Sequence, residues 1–198
     1  MTDSAPLLLL ASTSPRREAL LATLGIPFRV VTNPWQEVPL PREKPTAQAR
    51  RLSREKAMHF ATAHPENSLP VLTADTLISF RGRALNKPTD SDQALQWYRE
   101  LSGHHHQVLT AVTLWLPTRR LATRVVLTSI RFLPWNEGLY RGYLETGEWE
   151  GVAGGYRVQE SGICLVDRIH GSWSNVVGLP LAEVYGILSR HLPIPGRQ

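Results

Sequence analysis

The sequence predicts an α/β fold built on a mixed, partly antiparallel sheet. Apolar runs typical of buried strands are interspersed with amphipathic helical segments, without the strict strand–helix–strand repeat of an all-parallel sheet. Two long runs, residues 108–116 and 121–132, are separated only by a short turn at Pro117 and Thr118, which indicates an antiparallel hairpin. No internal repeat or low-complexity segment interrupts the chain, so we expect one domain over residues 1–198.

The first strand and helix follow from the stretch LLLLASTSPRREALLATLG. Residues 7–11 are apolar enough for a buried strand, and Ser14 and Pro15 suit the N-cap and first position of a helix. Arg16 and Arg17 then stand in the first turn, where the helix dipole favours acidic side chains. Two arginines at this place therefore indicate an anionic ligand.

The remaining elements are predicted from apolar periodicity, capping residues and turn signals. Further strands are expected at residues 28–32, 69–74, 76–80 and 163–169. Further helices are expected at residues 46–63, from the cap Ser91 to Leu101, at residues 136–146, and from Pro180 to His191. A proline-rich loop spans residues 33–45, and a glycine-rich loop spans residues 151–155.

Charge and cysteine usage argue against several classes of protein. The net charge is +5, but the basic residues are scattered singly or in pairs, which argues against a nucleic-acid-binding surface. Cys164 is the sole cysteine, which excludes a disulfide framework and a thiolate zinc site. No apolar run has the length of a membrane span and no secretory signal pattern is present, so we expect a cytoplasmic protein.

Two charged residues stand where the pattern requires apolar ones. Lys56 shares one stripe of the second helix with Ala49, Leu52 and Phe60. It either extends its ammonium along apolar surface to water, or borders a cleft that holds an anion. Asp75 interrupts the apolar run LPVLTADTLISF at the end of a short strand, where it either caps a turn or serves a site.

Other residues add weaker signals. Glu37 and Lys87 contribute a further carboxylate and a further cation, and such a set suits both a divalent metal and phosphates, as phosphoryl chemistry requires. The glycine-rich loop allows close approach of backbone to a ligand, although no Walker motif or dinucleotide fingerprint is present. His104, His105 and His106 point to alternating sides, so they cannot bind one metal together, and we expect them at the surface.

Seven segments resemble, in order and spacing, the Maf-type nucleoside triphosphate pyrophosphatases: LASTSPRREALLATLG, SREKA, TADT, LNKPTD, SGHHHQVLTAV, GEWEGVAGGY and GSWSNVVGLPL. The resemblance spans about residues 7–188. It implies the fold of the inosine triphosphate pyrophosphatase superfamily, in which a long mixed sheet with flanking helices forms two lobes around a nucleotide cleft. It also implies cleavage of a triphosphate between the α and β phosphates with a divalent metal (Mg²⁺, Mn²⁺ or Co²⁺), and a homodimer is common among relatives.

The resemblance also assigns roles to residues. Asp75 is then the catalytic acidic residue and, with Glu37, a metal ligand. The phosphate-binding residues it implies are Ser12, Arg16, Arg17, Lys56 and Lys87. The chain departs from the family at Trp173, where tyrosine is usual, and at Arg157 and Glu160, where glycines are common. Arg157 is either a further phosphate contact or a solvated loop residue, and we favour the second.

Three positions separate a branch of the family that resembles dTTP/UTP pyrophosphatases from one that resembles 7-methyl-GTP pyrophosphatases. Here they hold Arg16, Thr76 and Gln159, which match the first branch. The amide of Gln159 offers an acceptor and a donor to the N3–H and O4 edge of uracil and thymine. We therefore expect dTTP and UTP as substrates, with CTP poorer unless that amide flips.

Two alternative functions stay open on the sequence. One is a 7-methyl-GTP pyrophosphatase. The other is a non-enzymatic regulator of septum formation that binds a nucleotide or nucleic acid. Glu37 and Asp75 argue against this second alternative, because a pure phosphate-binding site gains nothing from carboxylates without a metal.

Overall fold

The computed structural model describes residues 5–38 and 40–194, so Pro39 of the proline-rich loop lies outside the described residues. The strands are β1 (Leu8–Ala11), β2 (Phe28–Val31), β3 (Val71–Phe80), β4 (Arg83–Leu85), β5 (His105–Trp115), β6 (Leu121–Phe132) and β7 (Val166–His170). The α-helices are α1 (Pro15–Ala22), α2 (Pro45–Ala63), α3 (Ser91–Leu101), α4 (Glu137–Glu145), α5 (Trp173–Val177) and α6 (Leu181–His191). Short 3₁₀ turns occur at Ala153–Gly155 and Ser161–Leu165.

The strands form one mixed sheet in the order β2-β1-β3-β5-β6-β7, with β4 paired to β3. Strand β1 runs parallel to β2 and β3, and the other pairs are antiparallel. The longest pairing joins β5 and β6, from His105 opposite Arg131 to Trp115 opposite Leu121. The mixed sheet and the long hairpin predicted from the sequence are therefore confirmed.

Apolar side chains attach helices to both faces of this sheet. Helix α2 covers one face, where its Ala49 packs with Leu77 and Ala111, and its Phe60 packs with Leu9. The helices α1, α3, α4, α5 and α6 pack on the opposite face, and their apolar residues belong to the two largest core clusters. No helix within residues 5–38 and 40–194 is long and apolar enough to cross a membrane.

One edge of β3 is only partly paired. Strand β5 follows β3 from Val71 to Ser79 along one edge. On the other edge β1 pairs with Val71 and Leu72, and β4 pairs with β3 from Ile78 to Phe80. Residues 73–77 therefore have no neighbouring strand on that edge within the described part of the chain. Because side chains alternate along a strand, Asp75 and Thr76 in this stretch point to opposite faces of the sheet.

Several local predictions are wrong in detail. Residues 69–80 do not form two strands that meet at Asp75, because β3 is continuous and Asp75 lies within it. Asp90 rather than Ser91 caps α3, since its carboxylate accepts a hydrogen bond from the Gln93 amide at 2.8 Å. The strand expected at residues 163–169 starts three residues later, after the second 3₁₀ turn. Neither the short strand β4 nor the short helix α5 was predicted, because each is too short for a periodic signal.

Candidate active site

A cavity of about 600 Å³ lies beside the unpaired stretch of β3. Its walls come from the N-terminus of α1, from β3, from the glycine-rich loop and the segment after it, and from the end of α5. All the site residues predicted from the sequence except Glu37 line it: Ser12, Arg16, Arg17, Lys56, Asp75, Thr76, Lys87 and Gln159. The fold thus brings together residues that are far apart in the sequence.

Asp75 and Lys56 form an ion pair in the cavity wall. The Lys56 ammonium donates a hydrogen bond to Oδ1 of Asp75. The Asp75 side chain is 9% exposed, and its Oδ2 is buried without a hydrogen-bond partner among the described residues. The ammonium also lies 5.4 Å from the centre of the Trp35 ring, a distance that permits a cation–π contact. The structure therefore supports the interpretation in which Lys56 borders a cleft.

Arg17 approaches β3 from the opposite face of the sheet. Its Nε donates to the carbonyl of Gly178 at 2.9 Å, and its Nη2 donates to the hydroxyl of Thr76 at 3.1 Å. Burial lowers the pKa of Arg17, while the charge of Asp75 acts in the opposite direction. Arg17 thus ties α1 to β3 and to the end of α5, and Thr76, a predicted specificity residue, holds this arginine.

The start of α1 is capped in an unexpected way. Ser14 occupies the N-cap position without a side-chain capping bond. Instead, the hydroxyl of Ser12 accepts a hydrogen bond from the amide of Ser14 at 3.2 Å. Arg16 follows in the first turn, and its Nε is buried without a partner among the described residues. Burial, together with the nearby charge of Arg157, lowers the pKa of Arg16. This end of the cavity therefore carries cationic donors that an anion would stabilise.

Arg157 belongs to a group of polar residues at the same end of the cavity. Its Nη1 lies 3.3 Å from a carboxylate oxygen of Glu160, and its Nη2 donates to the carbonyl of Glu150 at 3.1 Å. Its side chain is 29% exposed. The guanidinium is therefore partly solvated, and the Glu160 carboxylate and the loop backbone hold it in the cavity wall, while its contact with a phosphate stays a prediction.

The glycine-rich loop packs tightly on β3. A Cβ added to Gly154, whose φ is +70°, would lie 2.6 Å from Cγ1 of Ile78, so a larger residue does not fit there. The hydroxyl of Tyr98 donates a hydrogen bond to the carbonyl of Gly155. The next residue, Tyr156, shares a hydrogen bond of 2.7 Å with Nε2 of His106. These contacts fix the loop as a rigid wall of the cavity.

The histidines do not behave as one surface group. His104 and His105 are exposed, whereas His106 is 2% exposed and packs edge-on against Phe132 and Tyr156. Burial lowers the pKa of His106 to about 3, so this ring is neutral at neutral pH. The prediction of surface placement is therefore wrong for His106, because its alternate position on β5 faces the core.

Lys87 and Glu37, the two weaker signals in the sequence, lie in different parts of the structure. Lys87 is exposed and lines the cavity. Glu37 is exposed in the loop before α2, where its Oε1 accepts a hydrogen bond from the buried Gln48 at 3.3 Å, and it does not line the cavity. Its role as a metal ligand stays a prediction.

The described residues contain no group of three or more His, Cys, Asp or Glu side chains arranged to hold a metal ion. The buried Oδ2 of Asp75 is nevertheless an oxygen atom without a partner inside the described part of the cavity wall. Mg²⁺ is commonly held by one or two carboxylates together with the phosphates of a substrate. The site therefore fits a metal that protein and substrate share, rather than one held by the protein alone.

Comparison with known proteins places the chain in a family. Residues 7–191 match the family described as Maf-like protein. The chain belongs to this family.

Two bacterial proteins are similar to this Maf-like chain over most of its length. Over 182 residues, which are 92% of the chain and 91% of the relative, it is 42% identical to a dTTP/UTP pyrophosphatase of Escherichia coli O157:H7. With the same coverage it is 41% identical to a nucleoside triphosphate pyrophosphatase of Shigella flexneri. Among solved structures, a HAM1 protein from Coxiella burnetii aligns with a TM-score of 0.52 at 13% identity, over 94% of this chain and 100% of that one. This last likeness concerns the fold, and it agrees with the mixed sheet and flanking helices expected from the sequence.

Some residues of the Maf-like site escaped the sequence analysis. Tyr156 and His106 support the glycine-rich loop from inside the core, and a histidine within a run of three gives no signal of such a partner. Glu160 was noted only as a departure from the family, yet it contacts both Arg157 and Gln159. Only its position directly after Gln159 in the sequence could have indicated that Glu160 belongs to the site.

Proposed function

We propose that this Maf-like chain hydrolyses dTTP and UTP to the nucleoside monophosphate and pyrophosphate. The observation that carries the proposal is the Asp75 carboxylate, whose buried Oδ2 has no hydrogen-bond partner among the described residues, in the wall of a cavity lined by Arg16, Arg17, Lys56 and Lys87. Relatives 42% identical over nine-tenths of the chain bear the name dTTP/UTP pyrophosphatase, which supports this reaction and these substrates.

The cationic side chains would bind the triphosphate. Arg16 stands in the first turn of α1, where the helix dipole also favours an anion. Lys56 reaches the cavity from the opposite face of the sheet to Arg17, so phosphates in the cavity would meet positive charge on two sides. Such positioning and charge stabilisation supply most of the catalysis in phosphoryl transfer.

Asp75 would act on the attacking water. Its Oδ1 is held by Lys56, which leaves Oδ2 to accept a proton or to orient the water for in-line attack on phosphorus. A divalent metal bound by Asp75 and by phosphate oxygens would neutralise charge on the triphosphate. The cationic side chains would thus bind and orient the triphosphate, and the Asp75 carboxylate would take a proton from the attacking water.

The test is a panel of nucleotides with Mg²⁺, Mn²⁺ or Co²⁺, in which released pyrophosphate is measured. We expect the highest kcat/KM for dTTP and UTP and a lower value for CTP, GTP and 7-methyl-GTP. Chelation of the metal should abolish release, and readdition should restore it. No pyrophosphate from any nucleotide would contradict the enzyme assignment, and a preference for 7-methyl-GTP would contradict the substrate assignment.

The single domain, the homodimer and the cytoplasmic location expected from the sequence stay predictions. Sedimentation of the purified chain would test the homodimer.

A further inference from the structure

Gln159 and Glu160 are joined by their side chains at the cavity wall. Nε2 of Gln159 donates a hydrogen bond to Oε1 of Glu160 at 3.2 Å. The other oxygen of that carboxylate, Oε2, lies 3.3 Å from Nη1 of Arg157. All three residues line the cavity, in the same wall as Arg16. Gln159 therefore lines the cavity with one of the N–H groups of its amide already bound by the partly exposed Glu160 carboxylate.

Arg157, which contacts this carboxylate, is itself held at several points. Its Nη2 donates to the carbonyl of Glu150 at 3.1 Å, and its backbone amide donates to the hydroxyl of Tyr143 at 3.0 Å. The turn behind it is close-packed, since a Cβ added to Gly162 would lie 2.6 Å from the carbonyl oxygen of Arg157. Arg157 thus presents a held cation to Glu160, at 3.3 Å from its Oε2.

We propose that Glu160 fixes the orientation of the Gln159 amide and thereby makes the site select uracil and thymine over cytosine. The inference rests on the proposed function, because it assumes that the base of the nucleotide meets Gln159. An ionised carboxylate only accepts hydrogen bonds. It therefore stabilises the amide with Nε2 towards Glu160 and opposes the flipped amide, which would place the Gln159 oxygen against the carboxylate oxygen.

The two orientations of the amide suit different bases. Uracil and thymine present an N3–H donor beside the O4 acceptor, whereas cytosine presents an N3 acceptor beside an amino donor. An amide that pairs with one of these edges must exchange its oxygen and nitrogen to pair with the other. A glutamine free to rotate would accept both classes of base. With Glu160 beside it, the amide must lose its hydrogen bond to the charged carboxylate before it can pair with cytosine.

The test compares kcat/KM for UTP, dTTP and CTP in the wild type and in Glu160→Gln. A glutamine at position 160 can donate or accept, so it no longer favours one orientation of Gln159. We expect the ratio of UTP to CTP to fall about tenfold, the scale of one hydrogen bond to a charged group, with the ratio of UTP to dTTP unchanged. The matched control is Glu145→Gln, an exposed position near the end of α4, which should leave both ratios unchanged.

A second variant tests the path through Gln159. Gln159→Met removes the amide, so Glu160→Gln added to it should have no further effect on the ratio of UTP to CTP. An unchanged ratio in Glu160→Gln, in a protein that still hydrolyses UTP, would overturn the inference. So would the same change in the ratio with and without Gln159.

Failure of the proposed function would have a different signature. If the wild type released no pyrophosphate from any nucleotide, the enzyme assignment would fail. The inference would then be judged from the binding of UTP and CTP to the wild type and to Glu160→Gln by calorimetry without metal. A tenfold fall in the ratio of affinities would support it, and an unchanged ratio would overturn it.

Discussion

Asp75 and Thr76 are neighbours on β3, yet each is bound by a cation from a different face of the sheet. Lys56 of α2 pairs with Asp75, and Arg17 of α1 donates to the hydroxyl of Thr76. The two contacts meet beside the stretch of β3 that has no neighbouring strand on one edge within the described residues. The site thus depends on elements from both faces of the sheet, and each contact can be tested separately.

Asp75→Asn should lower kcat by about a hundredfold or more, because the amide keeps the size of the side chain but cannot take a proton or hold a metal equally well. Nucleotide binding should be largely kept, since Arg16, Arg17 and Lys87 are untouched. Pyrophosphate release and nucleotide binding by calorimetry measure the two quantities. Asp92→Asn, at an exposed residue of α3, is the control. A third of the wild-type rate in Asp75→Asn would contradict the assignment.

Lys56→Ala should raise KM and lower kcat, because the triphosphate loses a cation and Asp75 loses its ion-pair partner. Helix α2 should persist, since alanine is the strongest helix former. Initial rates over a range of UTP concentrations separate the two constants, and circular dichroism follows the helix. Lys44→Ala, at an exposed position at the start of α2, should change neither. Unchanged kinetics in Lys56→Ala would mean that the lysine only covers apolar surface.

Arg17→Lys should lower the free energy of unfolding by about 1–3 kcal/mol, because one ammonium nitrogen does not reproduce the planar guanidinium, whose Nε and Nη2 separately reach the Gly178 carbonyl and the Thr76 hydroxyl. Thr76→Val removes one of these acceptors. In a double-mutant cycle followed by urea unfolding, we expect the two changes to be coupled by about 1 kcal/mol. Strictly additive effects would show that the contact contributes nothing to stability.

Gly154→Ala and Gly151→Ala form a matched pair. Both glycines have φ near +70°, but a Cβ at Gly154 would lie 2.6 Å from Ile78, whereas a Cβ at Gly151 would have no atom within 4 Å. Both variants place an alanine in the left-handed backbone conformation, which destabilises them equally, and only Gly154→Ala adds a clash with Ile78. We expect Gly154→Ala to be less stable by a further 1–3 kcal/mol or so in urea unfolding. Ile78→Ala combined with it should recover part of the loss, and equal stability of the pair would contradict the packing described.

His106 should make the fold sensitive to acid. Burial lowers its pKa to about 3, against roughly 6.5 in an unfolded chain. Between these values the unfolded state binds more protons, so stability is full above pH 6.5 and is lost as the pH falls towards 3. From pH 7.5 to pH 5.0 this residue should cost about 2 kcal/mol.

The comparison for that prediction is His106→Gln, which can still bond Tyr156 but does not titrate. Urea unfolding at pH 7.5 and pH 5.0 should show a smaller loss of stability in this variant than in the wild type. An equal loss in both proteins would mean that His106 is protonated in the folded state or is not buried in solution.

The sequence predicted the mixed sheet and most of its elements because their signals are local. The apolar runs of β5 and β6, the turn between them and the Pro15 start of α1 each fall within a few residues. Short elements such as α5 were missed, since five residues give no periodicity and depend on tertiary contacts such as that of the Thr110 hydroxyl with the Asn175 carbonyl.

The candidate site was also predicted from local signals, namely charged residues at positions where the sequence pattern favours other residue types. Lys56 and Asp75 stand out from apolar patterns, and Arg16 and Arg17 stand out from the helix dipole. That Lys56 pairs with Asp75 was not predictable, because it depends on how α2 packs on β3. The same limit applies to the burial of His106, since two neighbouring histidines of identical type remain exposed.

The gap in the pairing of β3 also bears on self-association. An unpaired strand edge is a template on which a strand of another chain can add. Here the unpaired edge covers only residues 73–77, of which all but Thr76 are buried, and it lies beside the cavity that Arg17, Lys56 and Lys87 line. Charged residues, especially lysines, and very short edges are the means by which natural sheets avoid such addition. Because this edge is short, largely buried and next to the cations that would attract a triphosphate, it offers another chain little on which to add a strand.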